Sequence, residues 1–324
     1  MNRREILMSL LALLAAPRAA LAQQKTRRIG LLWIKSVGES SAYLQTFRQG
    51  LRALGYVEGA NLEIVDRFLV DSYPQMATAA ARLAAEKVDV IICFGNTAIS
   101  AASKATTTIP IVFVSGSDPV KAGFAQSLAR PGKNITGVTV INEEIGAKRL
   151  ELLKQALPGL KVVAIPLNPE SVSEQADFKE LQESAQNLGL QLRPIPVRHP
   201  DELDAALKDA AKSGISAFAP MSSTTFFAHA RTVVSAIEKT HLPAIYDEGS
   251  YVRAGGLMSY GSDNAEKFRY VAAIVGKILQ GANPGNLPIE QPMTLRLTLN
   301  LKTAKALGIR VPQVLLLQAD EVIH

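Results

Sequence analysis

From Arg28 onward the chain alternates short apolar runs with longer amphipathic ones, and this alternation constrains the fold more than any other feature. A strand that is apolar throughout needs cover on both faces. Amphipathic helices between such strands supply that cover, which is the pattern of a parallel sheet with helices on both sides. The run VDVIICFGNTAISAASKAT, residues 88–106, shows the unit at its plainest. An apolar strand over 88–94 stops at Gly95, and Asn96 and Thr97 then open a helix of Ala and Ser. Either this is an ordinary helix cap, or the chain presents bare backbone N–H groups to something.

The same grammar runs through two halves. In the first, strand 29–34 leads to helix 42–54, where Leu44, Phe47, Leu51 and Leu54 recur at helical spacing and Gly55 ends the helix. Strand 62–68, helix 74–86, strand 88–94 and strand 110–114 follow. In the second half, strands over 161–167, 191–197, 215–219 and 243–246 alternate with helices over 173–188, 201–212 and 224–240. The Gly-containing extended run 133–140 reads as a connector between the halves. A helix over 265–279 closed by Gly281, and a strand over 294–300, complete the chain. The fold class is therefore α/β, with two Rossmann-like open sheets forming two lobes. A length of 324 residues fits two domains of about 150 each, and 48% hydrophobic against 20% charged residues fits sizeable cores.

The N-terminus is a leader. MNRRE gives a positive start, 6–16 an apolar core, and Ala20-Leu21-Ala22 the small-x-small pattern of a cleavage site. A spanning helix needs about 20 apolar residues, so this segment is too short to span. Residues 1–22 are read as a cleaved secretion signal into the periplasm, and Arg3-Arg4 leaves both export routes open. The single Cys93 lies inside an apolar strand and has no partner for an internal disulfide. Loss of the leader takes the net charge from +6 to +4, with 32 basic against 28 acidic residues. The basic residues are scattered without interleaved aromatics, so no nucleic-acid partner is expected.

In open parallel sheets, ligands bind outside the carboxyl ends of the strands. The junctions there are small, hydroxyl-rich and Gly-rich: Gly95-Asn96-Thr97 and Ser115-Gly116-Ser117-Asp118 in the first half, Met221-Ser222-Ser223-Thr224 and Tyr246-Asp247-Glu248 in the second. The first strand ends at Trp33-Ile34-Lys35-Ser36, with the chain's one tryptophan. Helix N-termini offer free N–H donors suited to a carboxylate, and Trp33, Tyr246 and Tyr251 can wall an apolar cleft. Ser, Thr, Asp and Asn are also ordinary N-caps, and Trp33 is equally readable as a core aromatic. Asp247-Glu248 reads either as a pair that holds an amino group or as a solvated turn. His199, His229, His241 and His324 lack metal-ligand spacing, and neither a Gly-x-Ser-x-Gly elbow nor a Gly-x-Gly-x-x-Gly turn occurs. No metal, cofactor or catalytic machinery is expected.

Four stretches carry a family resemblance: FRQGLRALGYVEGANLEI, PIVFVSGSDPVKAGFAQSLARPGKNITGVT, RLELLKQALPGLKVVAIPLNP and NLKTAKALGIRVPQVLLLQADEVI. The chain resembles the ABC-transporter substrate-binding proteins of the tryptophan/tyrosine-uptake type, over about residues 26–323. The first-strand loop 33–40 departs from that family's commoner Gln-His-Pro-Ala-Leu pattern. The resemblance implies a hinged periplasmic-binding-protein fold, with lobe 1 over 26–138 plus 262–287 and lobe 2 over 139–261 plus 288–324. It implies ligand contacts at the junctions named above, a partner permease and ATPase, and no catalysis. The expected molecule is thus a monomeric receptor that does not span the membrane and closes on a small carboxylate-bearing solute, an amino or aromatic acid. A sensory module on the same scaffold, or a secreted enzyme using Asp118, Asp247, Glu248 or Asp263, are the competing readings.

Overall fold

The computed structural model describes residues 26–33, 40–65, 75–140, 142–210, 214–292 and 294–324. The leader 1–22 and Ser36 lie outside the described residues.

The first lobe is built on strands β1 (Arg27–Leu32), β2 (Leu62–Val65), β3 (Val90–Phe94), β4 (Ile111–Ser115) and β5 (Ile135–Thr139), paired in the order β2-β1-β3-β4-β5. All four pairings are parallel. β3 lies at the centre, and every one of its residues is buried, which is why it is apolar without alternation. Helices α1 (Ser40–Ala53), α2 (Met76–Ala85) and α3 (Asn96–Ala105) cover the sheet. The second lobe follows with α4 (Asn142–Ala156), β6 (Val162–Leu167), α5 (Val172–Asn187), β7 (Gln191–Pro196), α6 (Leu203–Ala210), β8 (Ala217–Phe218), α7 (Thr224–Ala228), α8 (Ala230–Glu238), β9 (Ile245–Tyr246), α9 (Gly249–Arg253) and β10 (Met258–Ser262).

The chain then returns. Helix α10 (Asn264–Leu279) is capped by Asp263, whose carboxylate accepts from the N–H groups of Ala265 and Glu266. It packs against α1 and the first sheet, and buries Phe268, Val271, Ala272, Val275 and Ile278 at helical spacing. The tail, β11 (Leu295–Asn300), α11 (Leu301–Ala306), α12 (Gln313–Gln318) and β12 (Glu321–Ile323), goes back to the second lobe. One core therefore joins residues 29–138 with 268–289, and separate clusters fill the second lobe.

Three expectations are modified. The run 133–140 is mostly strand: Ile135–Thr139 closes one side of the first sheet, and the Thr136 hydroxyl donates to the Leu287 carbonyl at 2.9 Å. The chain crosses to the second lobe only after it. The second lobe holds two sheets where one was expected, a parallel β7-β6-β8 and a mixed β12-β11-β10-β9 in which β10 and β11 run antiparallel. A single bridge, Phe218 with Ala244, links them. Pro220 and Pro243 flank the two-residue strands there, and a proline has no N–H to extend a ladder. The helix expected over 224–240 breaks at His229, whose φ of −123° lies outside the helical region.

Candidate ligand-binding cleft

Strand-to-helix junctions of both lobes, those after β3, β4 and β8, converge on one cleft, while residues 246–248 do not line it. A cavity of about 290 Å³ is walled on the first-lobe side by Asn96 and residues 116–118, with Lys121 and Ala122. On the second-lobe side Gly146, Arg149 and Leu150 of α4 face it at helical spacing, as do Asp177 and Leu181 of α5, with residues 219–222 between them.

The first-lobe wall is internally bonded. The Ser115 hydroxyl donates to Asn96 Oδ1 at 2.8 Å, and the Asn96 amide donates to the Ser117 hydroxyl at 3.1 Å. The Ser117 N–H in turn donates to the Ser115 hydroxyl at 3.1 Å. Asp118 is used locally, accepting from the N–H groups of Val120 at 2.8 Å and Lys121 at 3.2 Å. The question raised by Gly95 is answered by its geometry: it precedes α3 at φ 83°, a region open to glycine, and no side chain caps the helix. Asn96 spends its side chain on the serines, and Thr97 is exposed. The first turn of α3 therefore keeps its N–H groups uncapped by any side chain, beside the cavity.

The second-lobe wall is different. Arg149 is 5% exposed, and its Nε has no hydrogen-bond partner among the described residues. Asp247, half-buried and outside the cavity lining, has its Oδ1 buried and likewise without a partner among the described residues. Burial pushes the Arg149 guanidinium down, and the charge of Asp247 opposes that shift, so the two groups are near enough to feel each other. The Asp247 backbone carbonyl presses on Gly261, where an added Cβ would stand 1.9 Å from it; only glycine admits this approach. From the first lobe, Lys267 of α10 lies near enough to Asp247 and Glu248 to feel their charge. Desolvation lowers its pKa, with Asp247 and Glu248 the chief opposing charges.

Glu248 joins the lobes. It is 6% exposed, caps α9 by accepting from the Ser250 N–H at 2.8 Å and from the Ser250 hydroxyl, and accepts from the Tyr43 hydroxyl of α1 at 2.5 Å. Burial drives its pKa up, against the hydrogen bonds from Ser250 and Tyr43 and the charge of Arg253.

Of the other residues singled out from sequence, Met221 and Ser222 line the cavity. Ser223 is the N-cap position of α7, with no side-chain cap bond, and Thr224 is the first residue of that helix. Tyr246 and Tyr251 are corrections: each 1% exposed and stacked on the other at 4.8 Å, they belong to the second-lobe core and do not wall the cleft. Trp33 is buried against Phe94 at a centroid distance of 4.0 Å, yet it also faces Phe227 of the other lobe. His199 and His229, far apart in sequence, meet edge to face at 4.9 Å. Among the described residues no group of three or more His, Cys, Asp or Glu is placed to hold a metal. Arg149 and Lys267 were not legible as site residues. In sequence each is one more cation of an amphipathic helix, Arg149 deep in α4 and Lys267 in the first turn of α10, and only their packing near Asp247 marks them.

A family model, ABC transporter substrate binding protein, matches residues 35–323. The chain belongs to this family. A tyrosine-binding protein of Clostridioides difficile is 24% identical over 290 residues, covering 89% of this chain and 82% of that protein. Among solved structures, the ABC domain in complex with L-Trp from Streptococcus pneumonia superposes with a TM-score of 0.83 at 24% identity, covering 92% of this chain and all of that one. A conserved domain protein from Vibrio cholerae gives a TM-score of 0.82 at 26% identity, covering 93% of this chain and all of that one. These relatives share the two-lobed α/β architecture, and the family consists of solute-binding proteins rather than enzymes. Among the described residues no helix is long and apolar enough to cross a membrane.

Proposed function

We propose that this chain is the periplasmic solute receptor of an ABC importer, delivered by its leader, and that its solute is an α-amino acid held by both charges of its head group. One observation carries the reading: Arg149, which lines the cavity, is buried with its Nε unpartnered, and Asp247, close enough to act on its charge, has a buried Oδ1 that also lacks a hydrogen-bond partner among the described residues. An unpaired buried polar group costs about 1–3 kcal/mol, more when charged. A site containing two of opposite sign is complementary to a zwitterion, with the ligand carboxylate toward Arg149 and its ammonium toward Asp247. The uncapped first turn of α3 adds N–H donors on the carboxylate side. Relatives whose ligands are tyrosine and L-Trp support the same class.

Binding would then work through closure. Arg149 and Asp247 belong to the second lobe, Lys267 and Tyr43 to the first, so a ligand between them favours the closed arrangement over the open one by its differential affinity. The closed surface is what a permease and its ATPase would read. The test is a thermal-shift panel on residues 23–324 with the twenty amino acids, their decarboxylated amines and a set of sugars. A ligand that binds only the native state raises the melting temperature. A rise with one or a few amino acids and none with the matching amines is expected; a rise with sugars alone refutes the reading.

A further inference from the structure

The cleft has a smaller neighbour. A second pocket of about 10 Å³, room for about one water molecule, lies at the carboxyl edge of the β7-β6-β8 sheet. Two segments border both spaces. Helix α5 gives Glu174 to the small pocket and Asp177 and Leu181 to the cleft, the three recurring at helical spacing. The segment after β8 gives Pro220 and Ser222 to the cleft and Ser223 to the small pocket. Between the two stands Met221, which among the described residues is the one that lines both. It is half-buried and rests on the second-lobe core. An unbranched thioether with three rotatable bonds suits such a partition, because it fills an irregular gap.

The two spaces differ in chemistry. The cleft offers Leu150, Leu181, Ala219 and Pro220, a wall that suits a hydrocarbon side chain. The small pocket holds a carboxyl. Glu174 Oε2 accepts from the Asn168 N–H at 2.9 Å, and burial raises the pKa of the group. A carboxylate has about four acceptor sites, so this bond leaves most of its capacity unused. The cation that borders the pocket, Arg198, is exposed and paired with Glu170 at 2.8 Å. A donor or a cation brought into the small pocket thus finds an acceptor in Glu174, and a methyl group does not.

We propose that Met221 sets the reach of the solute's side chain: it ends the apolar part of the cleft and keeps long side chains with a terminal ammonium or guanidinium from meeting Glu174. This rests on the amino-acid reading of the same cleft. With Met221 in place, such a side chain brings its charge against an apolar wall, which is costly for a group without a partner. Removing the partition joins the two spaces. A side chain long enough to cross the place of Met221 then meets an acceptor, whereas a short one meets only a void.

The test is calorimetric titration of alanine, norleucine and lysine, by displacement where binding is weak, into the wild-type protein, Met221→Ala, and Met221→Ala combined with Glu174→Gln. Norleucine differs from alanine in length, and lysine from norleucine in its terminal charge. The wild type should bind lysine at least tenfold more weakly than norleucine. In Met221→Ala, lysine should gain at least tenfold relative to alanine and overtake norleucine. Adding Glu174→Gln, which keeps an acceptor for the Asn168 N–H, should remove the advantage of lysine over norleucine. Lysine as the better wild-type ligand, an equal change for alanine and lysine in Met221→Ala, or a lysine advantage that survives Glu174→Gln overturns the inference. Should Met221→Ala not fold, Met221→Val shortens the partition more gently and is read in the same way. If the wild type binds another solute and no amino acid, the amino-acid reading falls by itself. That solute and a homologue two methylenes longer are then titrated into the wild type and Met221→Ala, and an unchanged ratio overturns the role of Met221 as well.

Discussion

The two walls of the cleft are built from opposite kinds of polarity. On the first lobe, Asn96, Ser115 and Ser117 bond one another in a closed set, and Asp118 is spent on its own turn. On the second, Arg149 is buried and Asp247 half-buried, and Arg149 Nε and Asp247 Oδ1 have no hydrogen-bond partner among the described residues. A satisfied network rigidifies a wall and has little left to give a ligand. Buried atoms left without hydrogen bonds cost the empty protein stability, and a ligand that bonds them recovers it. Polar residues at a strand end thus mark where a cleft is, while unmet hydrogen bonds mark what it wants.

The comparison can be broken most sharply at Arg149. Arg149→Met should weaken ligand binding by about 2–5 kcal/mol, the cost of truncating one side of a buried charge pair. Asp247→Asn should cost less, since an amide oxygen still accepts. Calorimetry on the two single variants and the double variant checks this. Coupling between them shows one ligand spanning both, whereas wild-type affinity in Arg149→Met would remove the guanidinium from the site.

The next effect concerns the bond that spans the lobes. Tyr43→Phe deletes a hydrogen bond to a buried carboxyl, worth about 1.5–3 kcal/mol if that group is charged and about 0.5–1.5 if it is neutral. Glu248 also gives a pH signature whose sign is fixed. Its native pKa is raised by burial, so its contribution to stability is fully present below the ordinary carboxyl range and is lost as pH rises through the raised value. Melting temperatures of wild type and Glu248→Gln, compared from acid to neutral pH, should favour the wild type increasingly toward the acid end. Parallel curves would remove Glu248 as the titrating group.

The smallest effect is expected on the satisfied wall. Ser117→Ala takes away a hydroxyl that already serves Asn96, so ligand affinity should change by no more than about 0.5–1.5 kcal/mol. A loss as large as that of Arg149→Met would mean that the network, not the charge pair, carries recognition.

Much of this was legible in the chain itself. The β/α alternation is a local signal of period and length, so the first sheet, its helices and the convergence of Asn96, Ser117, Met221 and Ser222 on one cleft could all be anticipated. The split second-lobe sheet was not, because strands of two residues beside Pro220 and Pro243 carry too little pattern. Tyr246 was misread as a wall for a related reason: a strand-end aromatic looks the same in sequence whether it faces the cleft or, as here, Tyr251 in the core. Arg149 was invisible for the deepest reason. It stands inside RLELLKQALPGLKVVAIPLNP as one more cation on an amphipathic helix, and only tertiary packing makes it 5% exposed beside Asp247.

The most direct test is one calorimetric series on the wild-type protein: tyrosine, the same molecule without its carboxylate, and the same molecule without its ammonium. The expected result is measurable binding of the amino acid and a loss of at least tenfold for each truncated analogue, because each leaves Arg149 or Asp247 unpaired. Equal affinity for all three would contradict the charge-pair account and turn the cleft into an aromatic slot that ignores the head group.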